Sequence, residues 1–333
     1  MKIGLIDLDS KIPNLALMKL STFHKSQGDT VTLNSFNPSE VDKVYCSVLF
    51  KRNKEKAALL SSLYSDIAFG GTGWDLTTVL PAAVENQKPD YDLYTTEILC
   101  GRMRGIGTRA TKMKKAKIIA EAGIGFTTRG CVRSCEFCVI GEKEGKLRSV
   151  GSIADLVNPR SNVVIILDNN FIADPDVLEK IREIKERKLV VDITQGLDIR
   201  LMTPELAKAL SEIKHLRSIH YAWDLMSFES IVLRGIDTLS RHIKTWRHLC
   251  YMLVGFNTSF EEDMYRFRKL LELRVDPFVM VYNEAGSPML HHFARWVNGR
   301  IYTKCGFEDY KPWIRDRVKT SFFDEQMACE VMA

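Results

Sequence analysis

Residues 127–138 read TTRGCVRSCEFC and place three cysteines, Cys131, Cys135 and Cys138, in a C-x3-C-x2-C spacing. Three thiolates brought together by one short loop can hold three irons of a [4Fe–4S] cluster. No fourth cysteine lies near this stretch, so the fourth iron would keep an open coordination position. An open iron is a site of reaction, whereas a cluster closed by four cysteines is usually an electron carrier. The stretch therefore predicts a cluster that can bind a further, non-protein ligand.

Two plainer interpretations of the three cysteines stay open. A zinc site would need His or another Cys as its fourth ligand. Zinc sites usually show two paired ligand clusters, and no second C-x2-C or H-x3-H pair follows here. His291 and His292 are adjacent, which suits chelation poorly. The other alternative is three unconnected thiols.

The cysteine spacing, with the aromatic Phe137 just before the last cysteine, resembles the signature of the radical S-adenosylmethionine (radical SAM) superfamily. In that family the open iron binds the amino and carboxylate groups of S-adenosylmethionine (SAM). An electron from the reduced cluster cleaves the sulfonium, and the resulting 5′-deoxyadenosyl radical abstracts a hydrogen atom. The resemblance implies an enzyme with a [4Fe–4S] cluster and SAM as cofactors, an unidentified substrate, and an electron donor such as flavodoxin or ferredoxin.

Length and composition are those of an ordinary globular enzyme. The chain has 333 residues, enough for two domains, with 45% hydrophobic and 27% charged residues. No apolar run is long enough for a membrane span. The start carries Asp7 and Asp9 and does not read as a signal peptide, and the other cysteines are scattered. We therefore expect a cytoplasmic protein with no membrane partner.

Residues 1–105 are predicted to form a doubly wound, Rossmann-like α/β domain, because strand-like and helix-like runs alternate there. Predicted strands lie at 2–9, 30–33, 41–49 and 65–69, and predicted helices at 13–27 and 54–64. Gly28 is placed like a helix stop. Gly70, Gly71 and Gly73 follow the fourth strand, near the edge where ligands of such sheets bind. Tight turns also need glycine, so this cluster is only a weak sign of a ligand.

The layout of this first domain resembles the cobalamin-binding domain that precedes many radical SAM domains. The Asp-x-His-x-x-Gly motif, which supplies a cobalt ligand in some cobalamin proteins, is absent, and the only histidine of the region is His24. Many relatives of this kind lack the motif. Cobalamin is therefore left open as an additional cofactor that would assist methylation or rearrangement.

Residues 106–117 are predicted to be a basic linker. Between Arg102 and Lys117 there are seven basic residues and no acidic one. A solvated linker is the plain interpretation. The alternative is a strip that contacts phosphates of a nucleotide or nucleic acid. No aromatic residue interleaves the strip, so base stacking has no support there.

Residues 118–290 are predicted to form a partial (β/α)6 barrel, and residues 291–333 a short C-terminal cap over it. Six strands are predicted, at 118–126, 163–167, 189–193, 216–222, 249–254 and 277–282. Helical crossovers make such strands parallel, and their carboxyl ends build the active site. The order is similar to the partial barrel of radical SAM enzymes, with the cysteine loop after the first strand.

Polar residues at the strand ends are the cofactor contacts that the resemblance implies. Asp168 and Asn169 stand where the family contacts the methionine amino group, although the family's Gly-Gly-Glu form is absent. Gln195, Asp198 and Arg200 end the third strand. Arg200 is expected to pair with a carboxylate, either that of Asp198 or that of SAM.

The remaining strand ends give weaker expectations. Asp224 is expected to accept a ribose hydroxyl, and Gly255 to allow the backbone to approach the adenine. Tyr282 and Glu284 are candidate substrate contacts, and Trp223 is expected in the core. No acid–base residue can be named from the sequence.

Three alternative functions were compared with a radical SAM enzyme. The pattern RGC…CEFCVI is close to that of the tRNA methylthiotransferases, but these carry a second three-cysteine set and a C-terminal RNA-binding barrel. Only Cys46 and Cys100 precede the motif here, which disfavours methylthiotransfer. A non-catalytic electron carrier would need a fourth ligand from Cys100, Cys250, Cys305 or Cys329. A zinc-stabilised nucleic-acid-binding protein would use the basic strip.

Overall fold

The computed structural model describes residues 1–34, 36–103, 107–283 and 287–311. The chain divides into two compact units. The first comprises Met1–Gly125 with Asn158–Ser161, and the second comprises Phe126–Val157 with the described residues from Asn162 onward. In the described ranges, no helix is both long enough and apolar enough to cross a membrane.

The first unit is built around one parallel sheet. Its elements in chain order are Lys2–Asp7 (β1), Leu15–Ser26 (α1), Thr30–Leu33 (β2), Lys43–Ser47 (β3), Lys54–Ala58 (α2), Ile67–Gly70 (β4), Ala82–Glu85 (α3), Thr96–Arg102 (α4), Arg109–Glu121 (α5) and Gly123–Gly125 (β5). The sheet order is β2-β1-β3-β4, with every pair parallel. The first four predicted strands therefore lie where the sequence places them.

Helix α1 illustrates how local sequence sets these boundaries. Asn14 accepts a hydrogen bond from the backbone N–H of Leu17 at 3.2 Å and so caps the start of the helix. Leu17 and Met18 are buried against the sheet. At the other end Gly28 adopts a φ of 81°, which a residue with a side chain rarely takes, and the helix stops before it, as predicted.

The glycines after β4 allow the backbone to pack closely. A Cβ added to Gly71 would lie 2.4 Å from the backbone oxygen of Val48, and one added to Gly73 would lie 2.5 Å from the backbone nitrogen of Phe50. These positions thus need glycine for packing against the loop after β3, whatever else they do.

The segment predicted as a basic linker is mostly helical. Residues 109–121 form α5, whose start is capped by Thr108, which accepts a hydrogen bond from the backbone N–H of Thr111 at 3.2 Å. Ala116 and Ile119 are buried, whereas Lys114, Lys115 and Lys117 are exposed. The helix also takes up much of the strand predicted at 118–126, of which only Gly123–Gly125 is extended. Alanine, lysine and methionine favour a helix, which accounts for the helical structure of this segment.

The second unit alternates strands and helices after a pair of short antiparallel strands that the cysteine loop and one helix separate. Its elements are Thr128–Arg129 (β6), Ile140–Lys143 (α6), Arg148–Ser149 (β7), Ile153–Leu156 (α7), Val163–Ile166 (β8), Val177–Glu186 (α8), Val190–Ile193 (β9), Pro204–Ser211 (α9), Lys214–His215 (β10), Ile219–Ala222 (β11), Glu229–Ser240 (α10), His248–Val254 (β12), Phe260–Glu272 (α11), Asp276–Val281 (β13) and Pro288–Asn298 (α12). β6 and β7 pair antiparallel.

The longer strands of this unit pair in parallel, in two groups. β8, β9 and β10 are neighbours in that order, and β11, β12 and β13 form a second group. A single parallel bridge between Leu197 and Tyr221 joins the segment after β9 to β11, with the Leu197 N–H 2.8 Å from the His220 oxygen. The α/β class with parallel sheets is thereby confirmed.

The described part of the predicted C-terminal cap packs beside the last helices and strand. Phe293 and Trp296 on α12 contact Phe267 on α11, with ring centroids 5.9 and 5.0 Å away. Asn298 donates to the backbone oxygen of Val279 at 2.9 Å and accepts from its N–H at 2.8 Å. Residues 312–333 lie outside the described residues.

Candidate metal centre

The three cysteines lie on the loop between β6 and α6. The Cys131 N–H donates to the Gly145 oxygen at 3.2 Å, and the Cys138 N–H to the Cys135 oxygen at 2.9 Å. Gly130, just before the first cysteine, has a φ of 78°, and a Cβ there would lie 2.4 Å from the backbone oxygen of Lys146. Only glycine fits this position, so the Arg-Gly-Cys sequence is required by the shape of the loop.

Two N–H groups face the sulfur of Cys131. The side-chain amide nitrogen of Asn170 lies 3.5 Å from Sγ, and the backbone nitrogen of Arg133 lies 3.4 Å from it. Hydrogen bonds of this kind stabilise negative charge on a thiolate and tune the potential of a bound cluster.

The other two thiols also face nitrogen donors. Burial raises the pKa of Cys135, and the guanidinium of Arg200, which hydrogen-bonds to it, acts in the opposite direction. Desolvation by the surrounding protein raises the pKa of Cys138, while the backbone N–H of Ile140 opposes this and the neighbouring thiols add to it. The three thiols are therefore close enough for the charge of one to influence the pKa of another.

The arrangement of the thiols bears on which metal they fit. In the part of the chain that the structure describes, no three His, Cys, Asp or Glu side chains converge on the position of a single ion. A zinc ion requires sulfurs about 2.3 Å from one common point. An iron–sulfur cluster binds each thiolate at a different iron, so its ligands stand further apart. The two kinds of site therefore differ in how closely their thiolates must approach one another.

The loop before the cysteines is held by Asp168, two residues after the end of β8. Its carboxylate is buried and accepts hydrogen bonds from the Thr127 N–H at 2.6 Å, from the Thr127 hydroxyl, and from the Thr128 hydroxyl at 2.9 Å. Burial raises the pKa of Asp168, and these hydrogen bonds oppose the rise. Both oxygens are thus engaged within the protein, and the structure places Asp168 as an anchor of the cysteine loop.

Asn169 and Asn170 continue the same contact toward the first cysteine. The Asn169 side-chain oxygen accepts from the Gly130 N–H at 3.2 Å, and the Asn170 amide reaches Cys131. Successive residues after β8 therefore hold successive residues of the cysteine loop. Asp168 and Asn169 were predicted from the sequence, but Asn170, whose side-chain amide faces Cys131, was not.

A buried lysine supports this contact from behind. The ammonium of Lys180 on α8 donates to the Thr127 hydroxyl at 3.0 Å and pairs with the carboxylate of Asp174. Both charged side chains are nearly inaccessible to water. A buried ion pair adds little stability by itself, but losing one partner is costly, so the geometry of this network is firmly determined.

Asp198 and Arg200 form the pair that the sequence offered as one alternative. Arg200 donates to the two oxygens of Asp198 at 2.6 and 3.0 Å, and Arg133 from the cysteine loop donates to the same carboxylate at 2.9 Å. Although burial acts to raise it, the two arginines hold the pKa of Asp198 below its usual value. Arg200 also packs on the Phe228 ring, with its guanidinium carbon 4.6 Å from the centroid. One carboxylate therefore orients two guanidinium groups beside Cys135.

Asp224 lies among these charges at the end of β11. Its charge acts on both Cys135 and Cys138, and burial raises its own pKa to about 6, against the effect of Arg266. Trp223, the preceding residue, is fully buried, which confirms its expected place in the core.

Arg266 was missed by sequence analysis, yet it fixes this corner of the site. The fully buried guanidinium donates to the backbone oxygens of Trp223, Asp224 and Leu253, the last two at 2.8 and 2.7 Å. It also pairs with Asp263 on the same helix. Arg266 thereby holds the carboxyl ends of β11 and β12 at one point.

Aromatic rings connect the cysteine loop to the ends of β12 and β13. Phe137 contacts Phe256 with ring centroids 5.5 Å apart, and Phe256 contacts Tyr282 at 4.8 Å. Gly255 has a φ of 80°, and a Cβ there would lie 2.7 Å from Leu290 Cδ1. The structure thus brings the predicted residues Phe137, Gly255 and Tyr282 together through Phe256, which sequence analysis did not select.

Two further predicted contacts, Gln195 and Glu284, stay predictions. The Gln195 side-chain nitrogen is buried and has no hydrogen-bond partner among the described residues. Glu284 lies outside the described residues.

Cobalamin gains no support from the first unit. His24 Nδ1 lies 2.7 Å from Asp29 Oδ2, and its Nε2 lies 3.1 Å from the Tyr45 hydroxyl, so the protein itself engages both ring nitrogens. At the ends of β1 and β3, where ligands of such a sheet enter, Asp9 accepts from the N–H groups of Leu49 and Phe50 at 2.8 and 3.0 Å. The side chains of His24 and Asp9 are thus engaged by the protein itself.

Comparisons with known proteins yield little. No protein-family model matches the chain, and no curated protein matches it. Among solved structures, Streptococcus suis SuiB bound to the precursor peptide SuiA is similar, with 14% sequence identity and a TM-score of 0.38. The match covers 66% of this chain and 54% of the SuiB chain. SuiB bound to S-adenosylmethionine has 13% identity, a TM-score of 0.37 and coverages of 66% and 53%. The match spans about half of SuiB, and a likeness this weak does not decide what the chain binds or does.

Proposed function

We propose that this chain is a radical SAM enzyme in which Cys131, Cys135 and Cys138 hold a [4Fe–4S] cluster with one open iron for SAM. The proposal rests on one observation above all: the C-x3-C-x2-C loop presents three neighbouring thiols that each face an N–H donor. The parallel strands β8, β9, β11, β12 and β13, with the Leu197–Tyr221 bridge, support a partial (β/α)6 barrel as its frame.

When bound, such a cluster supplies the electron and the open iron needed to cleave SAM reductively. The protein contributes position and charge. Asp198 fixes the guanidinium groups of Arg200 and Arg133, and a cation fixed in this way suits the SAM carboxylate. We assign Asp224, whose backbone oxygen accepts a hydrogen bond from Arg266, to accept a hydroxyl of the nucleoside.

The aromatic cluster of Phe137, Phe256 and Tyr282 contributes a water-poor wall. Radical chemistry needs water and competing hydrogen donors to be kept away from the reacting atoms. We therefore assign these rings to shielding the site, beside the loop that carries the cysteines. The substrate stays unidentified, and a flavodoxin or a ferredoxin is the proposed class of electron donor.

Cys250 is poorly suited to be the fourth ligand of an electron-carrying cluster closed by four cysteines. Cys250 is the nearest candidate in sequence within the second unit, but it is fully buried inside β12, and burial raises its pKa well above the usual value. A thiol in that setting resists the ionisation that a cluster ligand requires.

The proposal is tested by anaerobic reconstitution with iron and sulfide, followed by electron paramagnetic resonance (EPR) of the reduced protein with and without SAM. A reduced-cluster signal that SAM shifts, together with formation of 5′-deoxyadenosine, would support it. The variant in which all three cysteines are alanine serves as the control and should bind no cluster. A colourless protein that binds zinc, or a cluster whose signal ignores SAM, would overturn the proposal.

A further inference from the structure

Asn170 is buried beside the cysteine loop and has one notable contact. Its side chain is 3% exposed, and its amide nitrogen lies 3.5 Å from Cys131 Sγ. Its amide oxygen is also buried and accepts no hydrogen bond from the described residues. The side chain is therefore positioned with its N–H group toward a sulfur.

Fold stability alone gives little reason for an asparagine here. A buried amide oxygen without a partner costs about 1–3 kcal/mol, and an apolar side chain would avoid that cost. By contrast, Asp168 and Asn169 make hydrogen bonds that hold the backbone of the loop. Asn170 differs from both because the polar group that it meets is a cysteine side chain.

The direction of the effect follows from charge. A thiolate that binds a cluster gains negative charge when the cluster is reduced, and an N–H group facing the sulfur stabilises that extra charge. The backbone N–H of Arg133 acts on the same sulfur, but no substitution at position 133 other than proline removes it. Asn170 is the neutral side chain that supplies such a donor to Cys131.

We infer that Asn170 is a positioning residue that raises the reduction potential of the bound cluster through its hydrogen bond to Cys131. The inference rests on the proposed function, since it requires that the three cysteines hold a cluster. Asn170, a residue outside the cysteine motif, would thus make the cluster easier to reduce.

The experiment is an anaerobic redox titration of the reconstituted full chain, followed by the EPR signal of the reduced cluster. Asn170→Leu keeps roughly the size of the side chain and removes the N–H donor without adding a charge, and Asn170→Ala removes the whole amide. For both we expect the reduction equilibrium constant to fall about tenfold, which is a shift of about 59 mV to lower potential for one electron. Asn162→Ala is the control, because its side chain donates to the Lys188 backbone oxygen, away from the cysteine loop. It should leave both the amount of cluster and the potential unchanged.

A second measurement keeps the inference testable if the Asn170 variants lose the cluster. In wild-type protein labelled with 15N-asparagine, electron–nuclear double resonance of the reduced cluster should detect an asparagine nitrogen coupled to it. Absence of that coupling, or potentials of the Asn170 variants equal to wild type, would overturn the inference while the proposed function stands. A wild-type protein that assembles no cluster would instead overturn the proposed function and this inference together.

Discussion

The guanidinium of Arg266 and the main-chain oxygen of Asp224 lie 2.8 Å apart, although the two residues belong to α11 and to the end of β11. The same guanidinium donates to the backbone oxygen of Leu253, near the carboxyl end of β12. It also forms an ion pair with Asp263, one turn earlier on α11. Arg266, a helix residue, thus fixes the backbone position of Asp224 beside the candidate metal centre.

Replacing Arg266 should therefore destabilise the second unit severely. Arg266→Met leaves Asp263 as a buried charge without its partner and leaves backbone oxygens unpaired, and breaking a buried pair in this way costs roughly 3–5 kcal/mol. The free energy of unfolding, from urea titration, is the measurement. The exposed Arg268 on the same helix gives the control variant Arg268→Met. Equal losses in the two variants would contradict a clamping role for Arg266.

Glycine at position 130 should be required for cluster binding. Gly130→Ala adds a Cβ 2.4 Å from the Lys146 oxygen at a φ of 78°, so the loop must move. We expect most of the iron retained after reconstitution to be lost. Gly145 has a similar φ of 72° with no atom near its Cβ position, so Gly145→Ala should cost only roughly 1 kcal/mol of strain and keep the iron. Iron per chain, measured in both variants, separates the steric effect from the backbone strain.

Arg200 should determine how tightly SAM binds. Arg200→Lys keeps the positive charge but loses the two-pronged contact with Asp198 at 2.6 and 3.0 Å. We expect the Kd for SAM, measured by titrating the EPR change, to rise roughly tenfold, the effect of about 1.4 kcal/mol. Iron content should stay at the wild-type value. Arg182→Lys, at an exposed position on α8, is the control. An unchanged Kd would show that Arg200 has only a structural role.

The stability of the second unit should fall as the pH is lowered from about 6.5 to about 4. His248 is buried, and burial lowers its pKa to about 4, although the Ile243 oxygen that lies 3.0 Å from Nε2 favours the charged form. Because the folded pKa lies below the unfolded value of about 6.5, the unfolded chain takes up the proton first, and acid favours unfolding across that window. The shift corresponds to a loss of roughly 3 kcal/mol for one histidine.

His248→Gln should flatten that pH dependence, measured as the urea midpoint at several pH values. His220, whose pKa burial also lowers to about 4, keeps part of the dependence in the variant. The exposed His242 supplies the control, His242→Gln, which should keep the wild-type profile. A wild-type midpoint that does not change between pH 6.5 and 4 would contradict the prediction.

Several elements could be predicted from local sequence because their signals are local. β8 and β12 are continuous apolar runs, which parallel strands buried on both faces require. The cysteine loop was recognisable from spacing alone. The strand predicted at 118–126 was mostly wrong because the alternatives, helix and strand, both accept its isoleucines and alanines, and the helix that starts at Arg109 extends into it.

The site residues that were missed depend on contacts between distant segments. Arg266 lies on an amphipathic helix, where an arginine reads as a surface residue until β11 and β12 are brought together. Phe256 and Asn170 are one residue from predicted positions, and only the turn of the chain after each strand decides which neighbour faces the cysteine loop. Strand patterns predict which end of a sheet holds a site, but not which side chain points into it.

The two hydrogen bonds between Asn298 and Val279 have a further consequence. They satisfy both the backbone N–H and the backbone oxygen of Val279 on β13. This strand pairs with β12 on its other side. A strand with unpaired backbone groups can recruit a strand from another molecule, and covering those groups prevents such pairing. The single amide of Asn298 thus terminates the sheet at this position, so Asn298→Ala would open a place where copies of the protein could associate edge to edge.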